Sequence, residues 1–432
     1  MIKKGLYNIP NNWYWSKLGE ITSVIGGGTP SSKINEYYDN GDIAWITPSD
    51  LSNYNNMYIS KGKKMITKLG LMKSSAKLLP KGTVCLSSRA PIGYVVIAKN
   101  ELSTNQGFKS FLPSKVFKSE YLYWYLKSIK HILEAKASGT TFLELSAKKA
   151  GEVEIPLPPI NEQQRIVNRI ESLFAKLDRA KELIENTLAQ WEQNKMAILH
   201  KAFTGELTAK WRKENNIDLS SWEKIKLGKV LLPMQTKKPT GQFFRYIDID
   251  AIDNKRQIVK APKLILTEKA PSRASRGVET GNILFSMVRP YLKNIAQIDS
   301  DLSDCIASTG FYVCRCKPEL NSRFLYYLFI FDKTIDYLMQ FMKGDNSPSI
   351  RKDDLLNMKI DLPTIEEQQE IVNILDNLLA KYNKIKNLEQ QLEKIELLKK
   401  AILAKAFRGE LGTNNPDEES AENLLKEILA EK

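Results

Sequence analysis

From Ile166 onward apolar residues recur at steps of three and four: Ile166, Ile170, Leu173, Leu177, Ala180, Ile184, Trp191 and Ile198. That spacing keeps one stripe on one face of a helix and reads as a heptad seam, with Thr187 and Asn194 as polar interruptions. The same steps return at Ile371, Leu375, Leu378, Tyr382 and Ile385, and Leu388, Leu392, Ile395 and Ile402 continue them one residue early. The missing residue therefore falls between Ile385 and Leu388. Each stretch predicts one helix of about 40 residues, roughly 60 Å long. Thr364 with Glu367, and Asn161 with Gln164, have the spacing of a capping box, and Gly205 and Gly409 are natural helix stops. Antiparallel pairing is expected, because parallel pairing would make the chain travel back about 60 Å through a domain before the second helix begins.

The flanks of these helices are also duplicated. Leu157-Pro158-Pro159-Ile160-Asn161-Glu162-Gln163-Gln164 returns as Leu362-Pro363-Thr364-Ile365-Glu366-Glu367-Gln368-Gln369. Lys201-Ala202-Phe203-Thr204-Gly205-Glu206-Leu207 returns as Lys405-Ala406-Phe407-Arg408-Gly409-Glu410-Leu411. A period this long is no solenoid repeat; a whole module occurs twice. Ahead of each helix lies a segment with strand-like alternation, such as Ile43-Ala44-Trp45-Ile46, Thr83-Val84-Cys85-Leu86 and Tyr94-Val95-Val96-Ile97. Both segments open on Trp followed five residues later by Leu-Gly, at Trp13/Leu18 and Trp222/Leu227. Further echoes are Gly82/Gly281, Ser87/Ser286, Arg89/Arg289 with one residue inserted, Gly107-Phe108/Gly310-Phe311 and Tyr121-Leu122-Tyr123/Phe324-Leu325-Tyr326. The two segments are expected to share a fold and differ in surface. A helix from Glu120 to about Lys136 is rich in Tyr and Leu and reads as core.

Charge changes the picture. The net charge is +14, and residues 1–156 hold 21 basic against 11 acidic side chains and residues 222–361 hold 23 against 16. The excess sits on the globular segments and not on the helices, which points to a polyanion contacted at two places. Lys61, Lys63, Lys64, Arg89, Arg245, Arg256, Arg273, Arg276 and Arg289 are the candidate contacts to it. Residues 208–221 read as a polar connector and 412–432 as an acidic tail, in which Ser420 can cap a helix burying Leu424, Leu425, Ile428 and Leu429. No apolar run is long enough to span a bilayer. Residues 1–30 lack a signal-peptide core, and four cysteines without a framework fit a reducing compartment, so the cytoplasm is expected.

Signals of catalysis are poor. No phosphate-binding Gly-x-x-x-x-Gly-Lys-Ser/Thr motif is present, and Gly26-Gly27-Gly28-Thr29-Pro30 reads as a turn. Leu157-Pro158-Pro159-Ile160 lacks the polar residue of an amino-methyltransferase motif. His131 and His200 have no metal partner at helical spacing, and Cys314, Cys316 and Cys305 read as strand and loop thiols rather than a zinc site.

Together, the duplicated Leu-Pro-x-Ile-x-Glu-Gln-Gln opening, the duplicated Lys-Ala-Phe-x-Gly-Glu-Leu close and the repeated Trp…Leu-Gly start make the chain resemble the specificity subunit of type I restriction–modification enzymes. The resemblance covers nearly the whole chain. It implies an α+β fold of two globular target-recognition domains (1–156 and 222–361) joined by two long antiparallel coiled-coil helices (157–207 and 362–411), with an internal pseudo-twofold repeat. Each domain would read one half of a bipartite double-stranded DNA target, and the helices would set the spacing and dock two methyltransferase subunits. Restriction/translocase subunits would join them. The chain itself would have no catalytic residue, cofactor or metal, and S-adenosylmethionine, ATP and Mg2+ would enter through the partner subunits. The family's base-reading residues vary between members, so none is carried over. Two other classes stay open to the residues alone: a self-sufficient DNA-modifying enzyme, and a coiled-coil DNA-binding scaffold without sequence specificity.

Overall fold

Each globular segment begins and ends in the same two-stranded ribbon. Tyr14–Lys17 runs antiparallel to Glu154–Leu157, with Tyr14 opposite Leu157. Glu223–Lys226 runs antiparallel to Lys359–Leu362, with Glu223 opposite Leu362. The ribbon brings each segment's two ends to the start of a long helix. The computed structural model describes residues 6–139, 143–382 and 386–430, in two units: Met1–Leu183 with Gln390–Lys432, and Ile184–Glu389.

In the first unit a five-stranded sheet has the order Val24–Gly26, Phe108–Phe111, Val84–Ser88, Ile92–Ala98, Tyr58–Ile59. A three-stranded sheet has the order Lys64–Ile66, Ile43–Ile46, Ser103–Thr104, and its last pair is parallel. The second unit repeats both. Leu231–Leu232, Phe311–Cys316, Ile283–Ser286 and Ile295–Gln297 form one sheet. Lys263–Leu266, Phe243–Ile247, Ile306–Ser308 and Ala274–Gly277 form the other, again with a parallel pair between its second and third strands. The halves thus share a fold, as the echoes in sequence predict. The expected helix after Glu120 is two, Ser119–Ser128 and Lys130–Lys136. Tyr121 through Leu126 are all buried, so the first of them is core.

The repeated flanking motifs hold the long helices onto these domains. Glu162 is fully buried, and its carboxylate accepts hydrogen bonds from the Trp13 indole at 2.8 Å and the Asn414 amide at 2.9 Å. Glu367 is equally buried and accepts from the Trp222 indole at 2.9 Å, the Thr208 hydroxyl at 2.6 Å and the Arg212 guanidinium at 2.5 Å. Beside them, Gln163 donates to the Val116 and Pro158 carbonyls and accepts from the Lys118 amide. Gln368 does the same with Glu319, Pro363 and Asn321. Each side chain satisfies backbone groups that burial would otherwise orphan.

These contacts correct the capping-box expectation. Thr364 does accept from the Glu367 amide at 3.4 Å, but the Glu367 side chain turns to the tryptophan and arginine instead of reaching back. Asn161 lies inside the helix, which begins at Ile160. The stops hold: Gly205 and Gly409 have φ of +79° and +76°, a conformation that disfavours any residue with a Cβ.

The first long helix is continuous over Ile160–Phe203. Its covered seam passes through Ile184, Leu188, Trp191, Lys195 and Leu199, while Thr187 and Asn194 are exposed beside it. The expected polar interruptions therefore stand next to the seam and Lys195 lies in it, because four-residue steps replace the seven-residue phase assumed from sequence. The second stretch comprises the helices Ile365–Tyr382 and Lys386–Ala406; the missing residue expected beside Ile385 lies outside the described residues.

Pairing is antiparallel within each unit. In the first, Asp178 meets Lys399 at 2.5 Å and Lys181 meets Glu396 at 3.6 Å, so one number rises as the other falls. Ile166 and Ile170 share a core with Ile402 and Ala406. In the second, Ile198, Leu199 and Ala202 share a core with Ile371 and Leu375. The repeated Phe closes each core. Phe407 packs edge-on against Tyr121 and Tyr125 at 5.3 and 5.0 Å. Phe203 packs edge-on against Phe324 and stacks on Phe331, at 5.3 Å each.

The tail and connector are working parts of this scaffold. In the tail the helix Ala421–Ala430 buries Leu425 and packs Leu424 on the first core, and the Ser420 hydroxyl caps it by accepting from the Glu422 amide. The side chains of Ile428 and Leu429 lie outside the described residues. Arg165 grips Glu418 with two hydrogen bonds, at 2.8 and 2.7 Å. The connector folds into the helix Ala209–Glu214, which delivers Arg212 to Glu367.

Candidate DNA interface

The loops that join strands of the two sheets gather at one end of each domain. In the first unit the Ser88 amide donates to the Gly107 carbonyl and the Leu145 amide to the Ser88 carbonyl. The Asn105 amide donates to Ile46 and the Gly28 amide to Thr104. These bonds tie residues 28–29, 47–50, 105–107, 88–89 and 144–145 into one cluster. The turn expected at Gly26–Pro30 is corrected: Gly26 ends the strand Val24–Gly26, no turn follows over 27–30, and Gly27 and Gly28 serve close packing instead, since a Cβ on them would lie 2.0 Å from the Asn105 oxygen and 2.2 Å from the Ala76 nitrogen. In the second unit the Met287 amide donates to Gly310, Ile350 to Met287, Thr309 to Arg273 and Lys237 to Ser275. The same strand ends meet, with different loops between them.

The sequence candidates divide on this map. Asp50 accepts from the Thr47 and Lys63 amides at 2.7 and 2.9 Å, which brings the turn carrying Lys61, Lys63 and Lys64 to the first cluster. Lys64 lies 5.9 Å over the Tyr38 ring. Arg89 is there too, 3.8 Å from Glu144. Arg273, Arg276 and Arg289 stand in the second cluster. Arg245 does not: it lies toward the start of its strand, bonded to the Asp301 carbonyl and 3.4 Å from Asp304. Arg256 sits in the turn after Ile252–Asp253, 3.7 Å from Asp253, and lines a cavity of about 530 Å³ with Trp191 and Lys195 of the long helix. Sequence grouped these two with the rest because charge alone does not show which end of a strand a residue occupies.

The matching of Arg89 with Arg289 is corrected as well. Arg89 bridges Glu144, whereas Val288 bridges Ser349. Backbone pairing therefore aligns Arg89 with Val288, and no residue is inserted before it. Arg289 follows at φ 48°, and its guanidinium donates to the Asn346 carbonyl at 2.8 Å. Both arginines still reach the loop beyond the second helix of their own domain.

Sequence reasoning missed Lys109, Lys237 and Lys238. Lys109 is buried and its ammonium binds the Ser88 hydroxyl and Glu144 at 3.3 and 3.1 Å, fastening the loop to the strand ends. The repeated Gly-Phe at 107–108 and 310–311 marked this place. Among the described residues no carboxylate lies within ion-pair distance of Lys61, Lys63, Lys64, Lys237, Lys238, Arg273, Arg276 or Arg289.

A family model described as the type I restriction modification DNA specificity domain matches residues 10–189 and again 222–397. The chain belongs to that family. It is 30% identical to the type I restriction enzyme MjaIX specificity subunit of Methanocaldococcus jannaschii, over 93% of this chain and 94% of that protein. It is 28% identical to the EcoDI specificity subunit of Escherichia coli, over 73% and 77%. In fold it is similar to a chain from a structural study of complex assembly and conformational transition of the type I R-M system, with TM-score 0.70, 21% identity and coverage of 94% of this chain and 100% of that one. The HsdS subunit from Thermoanaerobacter tengcongensis gives TM-score 0.58 and 21% identity over 94% and 99%.

As a type I specificity protein, the chain is the DNA-recognition component of such a system and not its catalytic one. It acts with DNA and with other subunits of the system. Among the described residues no group of His, Cys, Asp and Glu could hold a metal ion, and no helix is long and apolar enough to cross a membrane. Burial pushes the Cys85 and Cys316 thiols up to about 12, so neither is a thiolate at neutral pH.

Proposed function

We propose that each globular unit reads one half of a bipartite duplex target through its loop cluster, and that the paired helices set the spacing and dock two methyltransferase subunits. Restriction/translocase subunits complete the assembly in the cytoplasm, and S-adenosylmethionine, ATP and Mg2+ enter through the partners. The observation that carries this reading is the duplicated fold with, among the described residues, cations that have no carboxylate partner beside the loop cluster of each half, though on different elements. Phosphate contacts fix register and base-edge contacts give sequence, so two unlike loop clusters on one scaffold suit two unlike half-sites. The internal repeat offers near-equivalent surfaces to two copies of one partner.

The test is DNA affinity of the assembled complex as a function of salt. Alanine at Lys61, Lys63, Lys64, Arg89, Arg273, Arg276 and Arg289 should weaken binding, and its salt dependence should flatten by about one unit for each phosphate-binding cation removed. Alanine at Arg245 and Arg256 should leave the slope unchanged. Equal slopes for the two sets would overturn this placement of the DNA face.

A further inference from the structure

Among the described residues the second unit carries an element that the first lacks. Residues 235–237 run antiparallel to the strand Ala274–Gly277, with the Lys237 amide donating to Ser275 at 3.0 Å and the Gly277 amide to Gln235 at 3.1 Å. Thr236 and Arg276 face each other across the pair. Gln235, Thr236, Lys237, Lys238 and Arg273 are exposed. We propose that this two-stranded ribbon is the element with which the second unit reads its half-site, Arg276 meeting a base edge while Lys237, Lys238 and Arg273 hold the flanking phosphates. The proposal rests on the DNA-reading function given above and assigns it to one segment.

Four observations carry it. The first is shape: a major groove about 12 Å wide admits a two-stranded ribbon, whose strands are about 4.8 Å apart. The second is charge: Lys237, Lys238, Arg273 and Arg276 have no carboxylate partner among the described residues, while Lys263, Arg315, Arg323 and Arg351 of the same unit each lie on one. Cations gathered without counter-charge repel one another until a polyanion arrives.

The third is Arg276 itself. Its Nε is buried with no hydrogen-bond partner among the described residues, and the strand register shifts between Ala274 and Arg276. A bulge of this kind re-aims a side chain, and guanidinium is the group that bonds guanine with two parallel hydrogen bonds. The fourth is the contrast with the first unit. There the tightly packed Gly27-Gly28 segment lies beside Ser103–Thr104, with the Gly28 amide donating to the Thr104 carbonyl, and offers no side chains. The two scaffolds agree elsewhere and diverge here, where unlike half-sites require a difference.

The experiment selects bound duplexes from a random-sequence pool with the full-length chain in its complex, and follows affinity against salt. Arg276→Ala should relax preference about ten- to hundredfold at one or two adjacent base pairs of one half-site, with the other half-site unchanged. Arg276→Lys, which keeps the charge but not the two-pronged geometry, should relax it too. Lys237→Ala with Lys238→Ala should weaken all sequences alike and lower the salt slope by about two units. Thermal melts confirm folding, and the Lys237→Ala, Lys238→Ala variant on the exposed strand keeps the test if Arg276 variants melt early. A wild type that selects two half-sites, with the Arg276 variants selecting the same two or the lysine variant keeping the wild-type salt slope, would overturn the ribbon assignment alone. A wild type that selects no sequence would overturn the DNA-reading function beneath it.

Discussion

Glu162 and Glu367 occupy the same place in the repeat and solve burial differently. Glu367 has a cation, Arg212, on its carboxylate. Glu162 has neutral donors from Trp13 and Asn414, and burial holds its carboxyl above the usual range. A raised carboxyl pKa means the ion destabilises the fold at neutral pH and is relieved as pH falls. Glu162→Gln should therefore be close to neutral in a thermal melt at pH 7, since the amide oxygen still accepts from Trp13. Glu367→Gln leaves Arg212 buried without its counter-ion and should cost about 3–5 kcal/mol. Equal destabilisation by the two changes would show that the charge of Arg212 is not what Glu367 is for.

Among the elements, the tail and the seam each make a prediction. Arg165 holds the Glu418 carboxyl below its usual range through their hydrogen bonds. A depressed carboxylate contributes stability that is full above its unfolded pKa, about 4.3, and is lost as pH falls through the folded value. The helix Ala421–Ala430 should loosen from the first unit as pH falls below the usual carboxylate range, seen as faster amide exchange at 421–425, and Glu418→Gln should remove that pH dependence. In the seam, burial holds the Lys195 ammonium below its usual range, and its nearest carboxylate, Glu192, is 3.9 Å away. Lys195→Met should raise stability by about 1 kcal/mol, read as a higher melting temperature. A lower one would mean that Lys195 is held by interactions its charge makes and not merely tolerated.

For the whole molecule, the proposed spacing function would make the helices a ruler. One heptad inserted into both, in register, adds about 10 Å and keeps the seam in phase. That is roughly 3 base pairs, so methylation mapping in cells with the lengthened subunit and its partners should find a longer gap between unchanged half-sites. The same insertion in one helix should misalign the seam and destabilise the subunit. An unchanged gap with full activity would show that the helices serve partner docking and do not set spacing.

The duplication and the helix stops were legible in residues 157–207 and 362–411, and the shared fold and the family in these together with the Trp…Leu-Gly starts at Trp13 and Trp222 and the echoes that follow them, because local periodicity and repeated motifs are properties of the chain itself. So was the core role of Tyr121 through Leu126, since a run of large apolar side chains has to be covered. The purpose of the repeated Glu-Gln-Gln was not legible, because its partners Trp13, Val116, Asn414 and Arg212 are 47 to 252 residues distant. Nor could sequence sort Arg273 and Arg276 from Arg245. All three carry one charge on or beside a strand, and only strand pairing decides which end of the sheet each occupies and whether a carboxylate waits there. The charge excess on the two globular segments pointed to a polyanion from sequence alone, since charge can be counted segment by segment; which cations stand together was decided by tertiary structure, because such a surface is made of side chains from loops that only the folded sheets bring together.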